Sequence, residues 1–294
     1  MRIPEALEAL HRAEQFGYDA DSCAAARWNC HMLLGDFESA WCESDAIAAR
    51  GKPDPHRFWD GKPLAGKRIL IRCLHGLGDT LQFIRYAPML RSICPFVAIE
   101  SQPALLCLMQ ESALGNDIFT WGSPEPHWES QVEVTELPRI FRTTLETIPR
   151  CVPYIRASRH TTDGTSRGTG GLRVGLVWES SQYNPARSLP LQFLSEILDV
   201  DRNRDVRFFS LQAGEARRHV RALDGDVEDL QDANEAVLTT AGHIAGLDLV
   251  ITVDTMVAHL AAAMGALTWV LVPFQCDWRW MLQRSDSPWY PTMR

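Results

Sequence analysis

The stretch His75-Gly76-Leu77-Gly78-Asp79-Thr80 lies between two segments of different hydrophobic pattern. The run before it, Lys67 to Arg72, has the apolar, β-branched character of a buried strand, and the run after it, Thr80 to Tyr86, has helical spacing. Two glycines in such a turn let the backbone approach a ligand closely, and ligands of open α/β sheets bind at the carboxyl ends of strands. The pattern therefore predicts a ligand-binding turn with Asp79 as its active residue.

Asp79 has a second interpretation. Aspartate is favoured at helix starts, where its carboxylate accepts backbone N–H bonds and interacts well with the helix dipole. Both interpretations, ligand contact and helix cap, remain open at this point.

The composition is that of a soluble globular protein with room for two domains: 294 residues, 46% hydrophobic and 22% charged. A net charge of -8 and a pI near 5.6 argue against nucleic acid as a partner. The first residues lack the apolar core of a signal peptide, which predicts a cytoplasmic protein. The apolar stretch 257–274 contains His259 and breaks at Gly265, so we predict no membrane span.

Residues 1–50 are predicted to be helical, and Ala25 to Trp41 resembles one tetratricopeptide helix pair with its turn at Gly35-Asp36. A single pair is too short for a free-standing solenoid, so we expect it to be either the last remnant of an array or a cap on the domain after it, with its surface available to a protein partner. The Pro-, Gly- and Lys-rich residues 51–66 are predicted to form a linker.

Two strand–helix runs come next, and each predicts a parallel sheet. Residues 67–157 form the first domain, the Gly-rich residues 158–171 a linker and residues 172–294 the second domain. The predicted strands are Arg68 to Arg72, Phe96 to Glu100, Ile118 to Trp121, Gln131 to Val134, Leu172 to Trp178, Val206 to Leu211, Leu247 to Val253 and Thr268 to Val272. Later helices are predicted near Leu191 to Leu198, Glu215 to Leu223 and Glu235 to Ala245.

A second candidate site follows the strand that ends at Val253. The free N–H groups of the next helix form an anion site, to which Thr255 adds a hydroxyl, as a diphosphate requires. Helical spacing puts Thr255 and His259 on one face. Alternatively, Asp254 is an N-cap and His259 a satisfied buried histidine.

Three other strand ends carry weaker candidates. Ser180 and Ser181 with Arg187 suit a pyrophosphate or sugar hydroxyls, although Arg187 fits an exposed helix start equally well. Gln212 is a candidate near the base or ribose, through backbone groups. The run Asp277-Trp278-Arg279-Trp280 is interpreted mainly as core packing, with a position at the border of the cleft as the alternative. No metal site is predicted, because two Asp-x-Asp sequences, at 199–201 and 224–226, fall at helix ends and the eight cysteines form no Cys-x-x-Cys pair.

Several motifs in the same order resemble tetratricopeptide-associated bacterial glycosyltransferases related to heptosyltransferases, glycosyltransferase family 9. The resemblance covers roughly residues 22–294. It rests on Lys67 to Leu70 with Gly76 to Tyr86, Val174 to Trp178, Ser210 to Gln212, Leu247 to Thr255 with Ala258 to Leu260, Asp277 to Trp280 and Ser287 to Pro291.

The resemblance implies a GT-B fold, in which the second of two Rossmann-like domains holds a nucleotide-diphosphate sugar and the first holds the acceptor. It implies a metal-independent, inverting hexosyl or heptosyl transferase without a cofactor. Asp79 falls on the position of the general base, and Asp254, Thr255 and His259 fall on the donor-contacting segment. Gly76, Gly78, Thr80 and Gln82 fall on the acceptor-side loop.

This chain departs from the family's pattern in three places. Leu74-His75 replaces Glu-Gln before the glycine turn, and Glu179-Ser180-Ser181 replaces Ala-Gly-Asn. Because of these two differences, the identity of the donor sugar is not predicted. The chain also ends at Arg294, before the last helix that we expect from this fold.

Two other functions remain as alternatives: a non-catalytic module that senses nucleotide or binds a protein, and a nucleotide-sugar epimerase of the same fold. A protein or a glycan is the expected class of acceptor, and the sequence does not identify it.

Overall fold

A computed structural model of the chain describes residues 1–51, 58–64, 66–157, 171–181, 184–199, 205–223, 227–231 and 236–294, with only the backbone at positions 199 and 222. The predicted linker at 158–171 lies almost wholly outside these residues, as do residues 52–57 and 65 of the one at 51–66. The Asp-x-Asp sequence at 224–226 lies outside them, and so do residues 200 and 201 of the other.

Three helices form the N-terminal segment, and two of them are an antiparallel pair. Gly35 ends the second helix with a left-handed φ of 76°, and the Asp36 side chain caps the third by accepting from the Ser39 N–H at 3.2 Å. The predicted helices and their turn are therefore observed, whereas the tetratricopeptide relation stays a prediction. The helices are α1 (Ile3–Gln15), α2 (Ala20–Leu34) and α3 (Phe37–Arg50).

The first sheet has four parallel strands in the order β3-β2-β1-β4. Its central strand, β1, is buried along Ile69 to Ile71, as expected for a sheet covered on both faces. The strands are β1 (Arg68–Arg72), β2 (Phe96–Ser101), β3 (Asp117–Thr120) and β4 (Ser130–Glu133). The helices are α4 (Leu77–Phe83), α5 (Ala87–Ile93), α6 (Leu106–Ser112) and α7 (Leu137–Ile140).

The second sheet has five parallel strands in the order β7-β6-β5-β8-β9. Together the two sheets confirm the predicted α/β fold. The strands are β5 (Leu172–Val177), β6 (Val206–Ser210), β7 (Val227–Asp229), β8 (Leu249–Val253) and β9 (Thr268–Leu271), and the helices are α8 (Leu191–Asp199), α9 (Val237–Ile244) and α10 (Met256–Ala263).

Three elements differ from the sequence prediction. Helix α4 begins at Leu77 and not at Thr80. The segment Glu215–Ala222 is a 3₁₀ helix, and not an α-helix, because it lacks the long apolar stripe that would stabilise an α-helix. Strand β7 was not predicted, because its three residues carry two charges and no apolar alternation.

The two sheets are joined by one continuous buried cluster. It extends from the first sheet through α4 and α10 into the second sheet, where it reaches Phe209 and Val250. The C-terminal segment, defined as residues 277–294, completes the cluster with Trp289 and Tyr290, both fully buried. The two halves are therefore packed together around the cleft between them.

Candidate functional site

A cleft of about 1030 Å³ lies between the two sheets, at the carboxyl ends of their strands. This is where open parallel sheets bind ligands. The first half contributes residues 75–79, and the C-terminal segment contributes Asp277 and Arg279. The second half contributes Val177, Glu179, Ser180, Ser181, Asn184, Arg187, residues 211–216, residues 254–257 and His259.

Asp79 lies in the cleft with both carboxylate oxygens engaged. It is the third residue of α4, and its Oδ2 accepts from the Gly76 N–H at 3.0 Å, closing the first turn of the helix. Its Oδ1 accepts from the Arg279 guanidinium. Asp79 therefore does cap its helix, as the second interpretation proposed, and it also faces the cleft.

The remaining residues of the predicted acceptor-side loop divide into two groups. Gly76 and Gly78 line the cleft. Thr80 and Gln82 are fully buried and do not line it. Thr80 bonds to the Gln102 side chain at 3.1 Å. Because α4 begins three residues earlier than predicted, Thr80 and Gln82 turn into the core.

Gly78 brings the two halves into close contact. A Cβ atom at this position would lie 2.9 Å from Cδ2 of His259, on α10 of the second half. Any side chain here would push α4 away from α10. The second glycine of the turn therefore serves helix packing as well as access to the backbone.

Helix α10 presents its N-terminus to the cleft through Thr255, Met256 and Val257. Its N-cap is Thr255, whose side chain makes no capping bond, so the alternative in which Asp254 is the N-cap is wrong. The first N–H groups of an α-helix have no partner within the helix, and they carry the positive end of its dipole. This end of the cleft can therefore receive an anion.

Arg187 lies beside this helix end with loose contacts to two carboxylates. Its Nε is 3.3 Å from Asp254 Oδ2, and its Nη2 is 3.7 Å from Asp277 Oδ2. Burial raises the pKa of Asp254, while Arg187 acts in the opposite direction. The alternative in which Arg187 is merely an exposed residue at a helix start does not hold, because it lines the cleft.

His259 lines the cleft from a buried position, 4% exposed. Its Nδ1 is 2.9 Å from the Tyr290 hydroxyl, its Nε2 is 3.9 Å from Asp254 Oδ1, and its ring stacks on Trp280. Burial, followed by the charges of Arg279, Arg85 and Arg187, lowers the pKa of His259 well below its usual range. The geometry matches the alternative of a satisfied, neutral histidine.

The other predicted donor-side residues also line the cleft, but their side chains organise loops. The Gln212 amide oxygen accepts from the N–H groups of Trp178 and Glu179 at 3.0 and 2.9 Å. Ser180 donates to the Asn184 carbonyl at 2.6 Å. Ser181 is exposed at the cleft wall. The backbone around Gln212 is thus better placed than its side chain to meet a ligand.

Arg279 and Asp277 are cleft residues that the sequence interpretation assigned mainly to core packing. In their run, Trp280 is buried and Trp278 packs on Phe83 with ring centroids 6.2 Å apart. The alternation of charged and aromatic residues was the available signal, since it puts the aromatic side chains on the core side and the charged ones on the other. The described lining of the cleft includes two arginines, Arg187 and Arg279. It includes five carboxylates, which are Asp79, Glu179, Glu215, Asp254 and Asp277.

A second cavity of about 550 Å³ lies at the carboxyl end of the first sheet. Leu74 lines it, and the next residue, His75, lines the main cleft, so the two are neighbours. Arg72 at its wall pairs with Glu100 at 2.6 Å and Glu125 at 2.9 Å. Trp121 presents a ring that is 43% exposed.

Within the described part of the chain, no three histidine, cysteine, aspartate or glutamate side chains come together in a way that could hold a metal ion. In the same residues, every helix is too short or too polar to cross a bilayer.

No protein-family model matches this chain. In sequence it is similar to Protein FlbA of Caulobacter vibrioides, with 23% identity over 98% of this chain and 54% of that protein. The chain thus spans about half the length of this curated relative.

Solved structures show the fold. ADP-heptose LPS heptosyltransferase II of E. coli superposes with a TM-score of 0.57 and 11% identity, covering 77% of this chain and 89% of the other. The family 9 glycosyl transferase of Veillonella parvula DSM 2008 superposes with a TM-score of 0.54 and 11% identity, covering 72% and 82%. The predicted GT-B type of fold, with two Rossmann-like parallel sheets, is confirmed.

Proposed function

We propose that this protein is a glycosyltransferase that moves a sugar from a nucleotide-diphosphate sugar to an acceptor hydroxyl. The reaction inverts the anomeric carbon and needs no protein-bound metal ion. One observation carries the proposal: a single cleft contains Asp79 from the first half, and the N-terminus of α10 with Arg187 from the second. The fold supports it, since the similar structures are named as a heptosyltransferase and a glycosyl transferase.

The donor diphosphate would bind at the start of α10. Free backbone N–H groups and the helix dipole attract its negative charge, and Thr255 adds a hydroxyl. Arg187 is 28% exposed and only loosely paired, so its guanidinium can turn toward a phosphate. His259 would support this site from behind, by holding its ring against Trp280 and Tyr290.

In the proposed reaction, Asp79 accepts the proton of the acceptor hydroxyl as the acceptor oxygen bonds to the anomeric carbon. The bond from that carbon to the diphosphate breaks, and its electron pair leaves with the diphosphate. The α10 N–H groups and Arg187 then stabilise the departing charge. Attack opposite to the leaving group produces inversion.

The acceptor would approach from the second cavity, which adjoins the main cleft where Leu74 is followed by His75. Trp121 offers an exposed ring there, and Arg72 and Glu100 offer polar groups. Both a glycan and a protein side chain carry hydroxyls that fit this scheme. The N-terminal helices remain a proposed surface for a protein partner.

The test is Asp79→Asn, with ADP-heptose as the probe donor. Asparagine keeps the size of the side chain but cannot take the proton, so ADP release should fall by roughly 100- to 10,000-fold. ADP affinity, measured by calorimetry, should stay nearly unchanged. The control is Asp286→Asn, which removes an exposed carboxylate paired with Arg284. Equal turnover in Asp79→Asn and the unsubstituted protein would show that Asp79 acts only as a helix cap.

Two further measurements separate the alternatives. The first tests metal independence, because carboxylates outnumber arginines among the described residues that line the cleft. We expect turnover to persist in EDTA, and a loss restored by Mn²⁺ would contradict metal independence. Product analysis distinguishes transfer from epimerisation, since an epimerase returns a nucleotide sugar. ADP binding without any turnover would identify a nucleotide-sensing module.

A further inference from the structure

Arg279 is a buried cation that other side chains hold in place. Its side chain is 15% exposed. It donates to Asp277 Oδ1 at 2.8 Å and to Gln82 Oε1 at 2.7 Å. The guanidinium also lies 4.6 Å from the centre of the Trp278 ring, within the range of a cation–π contact.

The remaining Arg279 nitrogen donates to Asp79 Oδ1. This contact joins residues 200 positions apart in the chain. Because Asp277, Gln82 and Trp278 fix the guanidinium, its bond to Asp79 fixes the direction of the carboxylate. The Gly76 N–H holds the other oxygen at 3.0 Å. Asp79 is therefore oriented from both sides, with its remaining lone pairs available to the cleft.

We propose that Arg279 is the positioning residue for Asp79: it holds the carboxylate aimed at the acceptor hydroxyl. This inference rests on the proposed transfer reaction and adds a residue to it. It also gives Gln82 a role different from the acceptor contact that the sequence predicted, since Gln82 holds Arg279 from within the core.

The competing role for Arg279 is that of a diphosphate ligand. Its hydrogen bonds argue against that role, because its three nitrogens already donate to Asp79, Asp277 and Gln82. Arg187 is the better phosphate ligand, since its contacts with Asp254 and Asp277 are 3.3 and 3.7 Å long. The two arginines of the cleft thus have different roles: Arg187 binds the donor diphosphate, and Arg279 orients Asp79.

The experiment compares Arg279→Ala, Arg279→Lys and the control Arg284→Ala. Arg284 lies in the same segment and pairs with the exposed Asp286, so its replacement removes a similar ion pair away from the cleft. For each variant, ADP release from ADP-heptose gives kcat, calorimetry gives ADP affinity, and thermal unfolding reports the fold. Arg279→Ala is also assayed with added guanidinium ion.

We expect kcat of Arg279→Ala to fall by roughly 100-fold, as for the loss of a correctly positioned base, with ADP affinity little changed. Lysine or added guanidinium should restore part of the rate, because either returns a cation beside Asp79. Arg284→Ala should match the unsubstituted protein.

Two results would overturn the inference while the proposed function stands. One is a loss of ADP affinity as large as the loss of kcat, which would make Arg279 a diphosphate ligand. The other is a fall in kcat that neither lysine nor guanidinium relieves. No ADP release from the unsubstituted protein is a different failure: it overturns transfer from this donor, and the inference with it.

Discussion

At the residue scale, His259 is an ionisable side chain that is buried at the wall of the cleft. Its ring lies between Trp280 and the Tyr290 hydroxyl, and Arg279, Arg85 and Arg187 add positive charge nearby. Burial and these charges lower its pKa well below 6.5. The folded protein therefore holds a neutral imidazole, while the unfolded chain protonates the same group below about pH 6.5.

This difference predicts a pH-dependent stability. Below about pH 6.5 the unfolded state binds one more proton than the folded state. The free energy of unfolding therefore decreases as the pH decreases. His259 contributes a slope of up to about 1.4 kcal/mol per pH unit between roughly pH 6.5 and 5. Its contribution is constant above that range.

Urea unfolding of the unsubstituted protein and of His259→Gln at several pH values measures this slope. Glutamine can still bond to Tyr290 but does not titrate, so its free energy of unfolding should fall less between pH 7 and 5. His11→Gln, at an exposed position, is the control. Parallel curves for the unsubstituted protein and His259→Gln would show that His259 titrates normally in the folded state.

The individual site residues were predictable to different degrees. Asp79, Asp254 and Thr255 follow glycines or strand ends, which are local features, so the sequence located them in the cleft. Arg279 and the burial of Gln82 depend on contacts between distant segments. Local spacing carries no information about such contacts.

At the element scale, the close packing of α4 on α10 positions both sides of the site. Gly78 faces His259 across this interface, with no room for a Cβ atom at position 78. The turn therefore needs glycine at this position for a reason unrelated to backbone torsion, since Gly78 has no left-handed φ.

Gly78→Ala tests this packing. The new methyl group would lie 2.9 Å from the His259 ring, and such overpacking costs about 1–3 kcal/mol. The gain in helix propensity offsets at most about 1 kcal/mol, so the free energy of unfolding should decrease. Gly51→Ala is the matched control, because its Cβ would meet its nearest atom at an ordinary 3.4 Å. Equal stability of the two variants would mean that α4 and α10 are not tightly packed.

Elements with a strong periodic signal were predicted well. Strand β1 matches its predicted bounds, Arg68 to Arg72, because its apolar run is buried on both faces. The short strand β7 and the 3₁₀ segment Glu215–Ala222 were not, because β7 is formed by pairing with β6 and Glu215–Ala222 lacks the long apolar stripe of an α-helix. Helix α4 started earlier than predicted, because Asp79 closes a first turn through Gly76.

At the scale of the whole molecule, an aromatic cluster joins the N-terminal helices, the first half and the C-terminal segment. Trp289 is fully buried and stacks on Phe37 of α3 with centroids 5.7 Å apart. It also meets Phe83 of α4 and Trp278 edge-on at 5.8 and 6.0 Å. The segment that carries Arg279 into the cleft is thus anchored by this aromatic packing.

Trp289→Ala should therefore destabilise the whole protein. Removing a buried tryptophan costs about 3–5 kcal/mol, through lost transfer energy and the cavity left behind. Trp269→Ala, at a position 51% exposed, should cost about 1 kcal/mol or less. Urea unfolding measures both variants. A separate early transition in Trp289→Ala, with the remainder unchanged, would contradict a single cooperative core.

Local sequence patterns were enough to predict the α/β class, the helical N-terminal segment and the strand ends at which Asp79, Asp254 and Thr255 lie. These follow from hydrophobic periodicity and from turn residues, which act over a few neighbouring positions. The bonds of Arg279 to Asp79 and Gln82, and the burial of His259 as a neutral side chain, could be established only from the folded structure. Those features depend on which distant segments pack together, and on the burial and electrostatics that such packing creates.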